Sequence, residues 1–167
     1  MKKLVVLSGA GVSAESGIRT FRDSDGLWEN YPVEQVASIQ GWYRNPALML
    51  KFYNERRAQL KDAQPNKAHK LIASLEERFD CTVVTQNIDD LHERGGSHKV
   101  IHLHGEATKV RPEDSDGSFG VREIGYAPMN MGDVDERGVQ LRPHIVWFGE
   151  AVPVLDAAID EVVKADI

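Results

Sequence analysis

The chain has 167 residues, 41% hydrophobic and 28% charged, which suits one compact soluble domain or a domain carrying a small appendage. With a formal net charge of -6 and no run of lysine or arginine, it lacks the electrostatic footprint of a nucleic-acid binder, and the apolar run 4–7 behind Lys2 and Lys3 is far too short for a signal-peptide core or a membrane span. The single cysteine, Cys81, rules out an internal disulfide and any multi-cysteine metal site; it reads as a small buried hydrophobe at a strand start and fits a reducing cytoplasm.

In chain order, residues 4–7 read as a first strand running into Ser8-Gly9-Ala10-Gly11, with a helix from about Ser13 onward. Asn45-Pro46 has the form of a helix cap and first-turn proline, opening a helix through Leu60 that carries Leu48, Phe52 and Tyr53. Behind Pro65-Asn66, the residues Ala68, Leu71, Ile72, Leu75 and Phe79 recur at helical spacing, so one face of this helix is expected to pack on a sheet. Residues 82–85, 99–103 and 145–148 are short β-rich runs, each ending in a polar cluster. Strands alternating with helices predict an α/β fold, a Rossmann-like parallel sheet with helices on both faces that binds ligands beyond the carboxyl ends of its strands. Residues 107–142 break the pattern as a long polar stretch rich in glycine, of the kind that forms a lid, a small subdomain or disorder. The expected organisation is a Rossmann-like domain from 1–106 and 141–167, with 107–140 as a small inserted module or loop. Near the end, Pro153 opens a helix carrying Leu155, Ile159, Val162 and Val163, and Ala165-Asp166-Ile167 reads as the start of another strand.

The first chemical feature is Gly9-Ala10-Gly11-Val12-Ser13-Ala14, which has the G-x-G-x-x-A form of a dinucleotide-binding turn between a strand and a helix. Glycines let the backbone approach a pyrophosphate, and the helix start directs free N–H groups at it. An ordinary dehydrogenase places an acidic residue about 20 positions on, at the end of a second strand. Here the chain continues instead through Glu15, Phe21, Arg22, Asp23 and Trp28, a polar loop with embedded aromatics, which argues against hydride transfer. Read alone, Gln86-Asn87-Ile88-Asp89 is either a site cluster or a strand-ending turn.

Four blocks in order, GAGVSAESGIRTFRDSDGLW, TQNIDDLHERGG, VIHLHGE and RPHIVWFGE, resemble the sirtuin family. They cover about residues 3–106 and 141–150, and the resemblance implies an NAD-dependent protein-lysine deacylase that yields nicotinamide and O-acyl-ADP-ribose. It implies that Gly9, Ala10, Gly11, Ser13 and Glu15 form the dinucleotide loop, that Phe21 and Trp28 belong to the same site, and that Arg22 reaches the phosphates with its bidentate fork. It implies that Gln86 and Asn87 contact ribose, Asp89 the nicotinamide amide and Ile88 its pocket, with His104 as general base and Asn87 as its catalytic companion. An ordinary histidine pKa of about 6.5 leaves the neutral ring dominant at pH 7, as such a base needs. The segment Val146, Trp147, Phe148, Gly149 and Glu150 resembles the one that takes the substrate peptide as an added strand, with Trp147 near the acyl chain.

Tyr53 and Arg56 lie three apart on one helix face, a Y-x-x-R pair similar to that of sirtuins removing succinyl, malonyl or glutaryl groups, where a guanidinium meets the acyl carboxylate. His102 and His104 alternate onto one face, but no third metal ligand is close in sequence; His69, His92, His98 and His144 carry no assigned role. Two departures from the family stand out. Most sirtuins carry paired zinc cysteines between the histidine and tryptophan blocks, whereas 107–142 contains none, so no zinc is expected and that stretch must rely on a small apolar cluster or remain mobile. The family's later strand, with its glycine-threonine-serine turn for the adenosine half, would follow Ile167, so the chain reads as a fragment. The expected partners are acylated-lysine proteins, with neither nucleic acid nor membrane. The alternatives are mono-ADP-ribosyl transfer and a non-catalytic NAD or peptide binder.

Overall fold

The computed structural model describes residues 1–19 and 27–167, so Phe21 and Arg22 lie outside the described residues. Strand β1 (Lys3–Ser8) leads into a 3-10 turn (Ala10–Ser16), then a hairpin of β2 (Leu27–Trp28) and β3 (Tyr31–Pro32). Helices α1 (Val33–Val36), α2 (Ile39–Arg44), α3 (Pro46–Asp62) and α4 (Lys67–Ser74) follow, then β4 (Asp80–Thr85), α5 (Leu91–Arg94), β5 (Val100–His102), β6 (Gly105–Pro112), β7 (Arg122–Glu123), β8 (Leu141–Ile145) and α6 (Leu155–Val163).

The fold is α/β and Rossmann-like. β1, β4 and β5 pair in parallel in that order, with Lys3 opposite Asp80 and Thr85 opposite His102. β4 is central, and its β-branched run Thr82 to Thr85 is buried throughout, as a strand covered on both faces requires. Along the other edge of β1, the Val5 N–H donates to the Ile167 carbonyl at 3.1 Å and the Asp166 N–H to the Lys3 carbonyl at 2.9 Å, so the last residues begin an edge as their pattern predicted.

Three expectations are corrected. The element after the glycine turn is a seven-residue 3-10 turn starting at Ala10, closed by Gly17 in the left-handed region (φ +87°), so it carries no extended helix dipole. The run 145–148 is not a strand of the parallel sheet: β8 ends at Ile145 and pairs antiparallel with β6, leaving Phe148 bridged to Ser38. The apolar face of α4 is only partly covered, because Leu71 is 62% exposed while the helix turns His69 fully inward. Likewise α6 docks through buried Ala158 and a Lys3–Glu161 ion pair, with Ile159, Val162 and Val163 outward.

The stretch 107–142 is ordered around β6, β7 and β8. Ala107, Val110, Met129 and Leu141 join the hydrophobic core of Met49, Leu50, Phe52, Tyr53 and Leu60 on α3. Arg57, wholly buried on α3, donates to the carbonyls of Ala127 (3.1 Å) and Ala107 (3.3 Å), which pins this stretch to the helix through backbone contacts. Apolar packing and arginine–carbonyl bonds thus hold the region whose sequence offers no cysteine.

Candidate active site

Beyond the carboxyl ends of β1 and β4 lies a cavity of about 390 Å³. Ala10 and Ser13 from the first turn, Gln86, Asn87, Ile88 and Asp89 after β4, and His104 after β5 line it on one side. Trp28, Tyr53 and Arg56 line it with Val146, Trp147, Phe148, Gly149 and Glu150 on the other. Gly9, Gly11 and Glu15 are not on this wall. A Cβ on Gly9 or Gly11 would meet nothing within 4 Å, so internal crowding does not demand glycine there, and the open space suits a closely approaching ligand. Gln59, Arg19 and Glu29 also line the cavity, and no motif pointed to them.

Ser13 is the hub of a buried network that the sequence reading held only in part. Its hydroxyl donates to Asp89 Oδ2 at 2.8 Å and accepts from Asn87 Nδ2 at 3.1 Å. His69, which had no assigned role, completes it. The Asn66 N–H donates to His69 Nδ1 at 3.1 Å, so the proton sits on Nε2, which faces Ser13 Oγ at 3.4 Å. Burial lowers the His69 pKa and keeps the ring neutral, with nearby Asp89 opposing; burial raises that of Asp89, opposed by the Leu91 N–H and the Ser13 hydroxyl. The one sequence signal for His69 was its place three residues after the cap Asn66, where it forms a capping box.

His104 Nδ1 donates to the Gln86 carbonyl at 3.1 Å, which leaves Nε2 as the acceptor nitrogen on a cavity-lining ring. His102 does not pair with it as a metal ligand; its Nδ1 donates to the next carbonyl, Asn87, at 2.8 Å, and its Nε2 lies 2.6 Å from Glu93 Oε1. Glu93, His102 and Glu106 converge, yet the short His102–Glu93 contact and the Lys109 ammonium on Glu106 (2.7 Å) account for that as an ion-pair network.

At the far end, Tyr53 is fully buried; its hydroxyl donates to the Val36 carbonyl at 2.7 Å and accepts from Trp147 Nε1 at 2.8 Å. The phenol therefore has no spare proton for a ligand in this arrangement. Arg56 is different. Its side chain is 11% exposed, its guanidinium carbon lies 4.5 Å from the Phe52 ring centroid, and Nε and Nη1 are buried without a hydrogen-bond partner among the described residues. Burial lowers its pKa, with Glu29 and Glu55 opposing.

The Trp147 segment is braced from behind. Arg142 grips Glu150 with both terminal nitrogens (2.8 and 2.7 Å) and stacks 3.8 Å over the Trp147 ring, while Glu150 Oε1 accepts the Trp147 N–H at 3.1 Å. Burial acts to raise the Glu150 pKa, but Arg142 holds it below the ordinary range. Glu150 is thus occupied as a brace although it lines the cavity. Phe148 already uses its N–H on Ala37 and its carbonyl on Ile39, so neither group is free to pair with an added strand.

A sequence model described as the Sir2 family matches residues 9–167. An NAD-dependent protein deacylase of Bacteroides thetaiotaomicron is 55% identical over 170 residues, spanning 100% of this chain and 73% of the relative. One of Helicobacter pylori is 53% identical, over 100% of this chain and 72% of its own length. Among solved structures, a serine-to-alanine variant of a Sir2 homologue in complex with ADP-ribose superposes with a TM-score of 0.89 at 46% identity, covering 99% of this chain and 67% of that one. Sir2Tm bound to a propionylated peptide superposes with a TM-score of 0.74 at 32% identity, over 98% and 67% of the two chains.

Proposed function

Because this chain belongs to the Sir2 family, we propose that it removes acyl groups from protein lysines at the expense of NAD, and that it favours acyl groups ending in a carboxylate, succinyl or malonyl, alongside acetyl. We take residues 1–106 and 141–167 as the Rossmann-like catalytic domain and 107–140 as a small inserted module. The open glycine turn, the polar loop 86–89 and the His104 ring together fit a dinucleotide. Bound there, NAD supplies an electrophilic ribose carbon and nicotinamide as the leaving group. Asn87 and Gln86 orient the ribose, Ile88 and Asp89 hold the nicotinamide end, and Ser13 fixes Asp89 and Asn87 relative to each other. His104 accepts a proton at Nε2 while the Gln86 carbonyl keeps its Nδ1 proton in place.

The observation carrying the acyl preference is Arg56. A guanidinium on a cavity wall whose Nε and Nη1 are buried without a partner among the described residues, and whose Nη2 has only Glu55 at 3.6 Å, is a desolvated cation with open hydrogen-bond donors. A terminal carboxylate beside it gains charge-assisted hydrogen bonds of about 1.5–3 kcal/mol, or about ten- to hundredfold in affinity. Matched acetyl-lysine and succinyl-lysine peptides with NAD give the test. Arg56→Met is expected to lower kcat/KM for the succinyl peptide by about ten- to hundredfold, with the acetyl value changing less than about twofold. Equal losses on both peptides would remove the carboxylate preference.

A further inference from the structure

We propose that the contact between buried His102 and partly exposed Glu93 is a positioning device for the deacylase site, holding the Asn87 backbone so that Asn87 and His104 share one wall of the cavity. The inference rests on the reading of that cavity as the deacylase site. His102 ends β5 and is 8% exposed. Both groups on its ring only accept: the Asn87 carbonyl at 2.8 Å from Nδ1, and the Glu93 carboxylate at 2.6 Å from Nε2. A ring between two acceptors has to donate from both nitrogens and is an imidazolium.

The tie belongs to a larger grip. The corner from β5 into β6 takes three consecutive carbonyls of the loop after β4: Gln86 from His104 Nδ1 (3.1 Å), Asn87 from His102 Nδ1 (2.8 Å) and Ile88 from the Ala107 N–H (2.8 Å). Of these, only the His102 tie shares its ring with a carboxylate, so that both contacts together need the charged ring. If His102 loses one proton it can no longer serve both groups; where the remaining proton stays on Nε2, facing the Glu93 carboxylate, the Asn87 carbonyl is released and the loop loosens where the ribose is held.

Other charges face the same ring. Glu106 on β6 lies 4.0 Å from Nε2 and is itself held by Lys109, Asp89 stands in the loop, and His92 on α5 is kept neutral by burial, its pKa lowered to about 4. Burial acts to lower the His102 pKa, but the Glu93 hydrogen bond and charge raise it above the ordinary value, so the clamp set by the two acceptors is lost as pH rises through the raised pKa.

Two measurements on the full-length protein decide the matter. In kcat/KM against pH, the wild type is expected to hold through neutral pH and decline on the alkaline side, and Glu93→Gln to move that decline down by about one unit or more, since an opposite charge at this range shifts a pKa by 1–3 units. Melting temperature is followed alongside, because a purely structural role would lower it without moving the profile. NMR titration of the His102 ring, independent of turnover, is expected to show an imidazolium at pH 7 in the wild type and a lowered pKa in Glu93→Gln. A superimposable pH profile in an active Glu93→Gln enzyme, or a neutral His102 ring at pH 7, overturns the proposal. A wild type with the expected ring titration but no deacylation of any acyl peptide removes the deacylase reading, and with it the role claimed for the clamp.

Discussion

Tyr53 and Arg56 share a helix face, yet their surroundings give them different tasks. Tyr53 is committed at its hydroxyl to Val36 and Trp147, so Tyr53→Phe leaves a buried carbonyl and a buried indole N–H unpaired. The expected result is a loss of about 1–3 kcal/mol in chemical unfolding, with acetyl and succinyl turnover falling together, in contrast to Arg56→Met. Protonation also acts at this scale. His92 and His144 both have pKa values pushed down to about 4, chiefly by burial, against 6.5 when unfolded. A histidine whose folded pKa is depressed adds stability that is complete above the unfolded pKa and disappears as pH falls from about 6.5 to about 4. For fully buried His92 this is worth about 3 kcal/mol, so unfolding midpoints measured from pH 7 down to 4 are expected to fall steadily, and a flat profile would contradict the burial of these rings.

Among the elements, α3 was the most legible: Asn45 accepts from the Leu48 N–H at 3.1 Å and Pro46 takes the first turn, as the pattern said, and Phe52, Tyr53 and Leu60 are buried. β1, β4 and β5 were equally plain from their β-branched or aliphatic runs, although only β4 is buried along its length. The sheet of β6, β7 and β8 was not, because its strands carry Lys109, Arg111, Arg122 and Arg142 among few apolar residues, and its hold on the core joins the packing of Ala107, Val110, Leu141 and Ile145 to arginines bonded to carbonyls and to Glu150. His69 was missed for a related reason: a histidine in a helix announces nothing until Ser13, 56 positions away, is brought beside it. The brace behind Trp147 carries its own prediction. Glu150→Ala leaves Arg142 and Arg111, each about 2% exposed, without their shared carboxylate, and is expected to destabilise the fold by about 3–5 kcal/mol in urea titration. Glu150→Gln, which keeps an acceptor, is expected to cost less.

For the whole molecule, the parallel sheet delivers Ser13, Asn87, Asp89 and His104 to one end, while α3 and the segment after β8 bring Arg56 and Trp147 to meet them across the same cavity. Cofactor side and acyl side are thus supplied by different layers of the fold, which makes their separation by mutation possible. The chain covers between two thirds and three quarters of the length of the relatives described, and it contains the elements that build this cavity. The account stands most directly on mass spectrometry of the full-length protein incubated with NAD and a succinyl-lysine peptide. It predicts loss of the succinyl mass from the peptide, with nicotinamide released in step, abolished by His104→Ala. A peptide that keeps its acyl mass while NAD is left intact, or while ADP-ribose appears on protein instead, would contradict it.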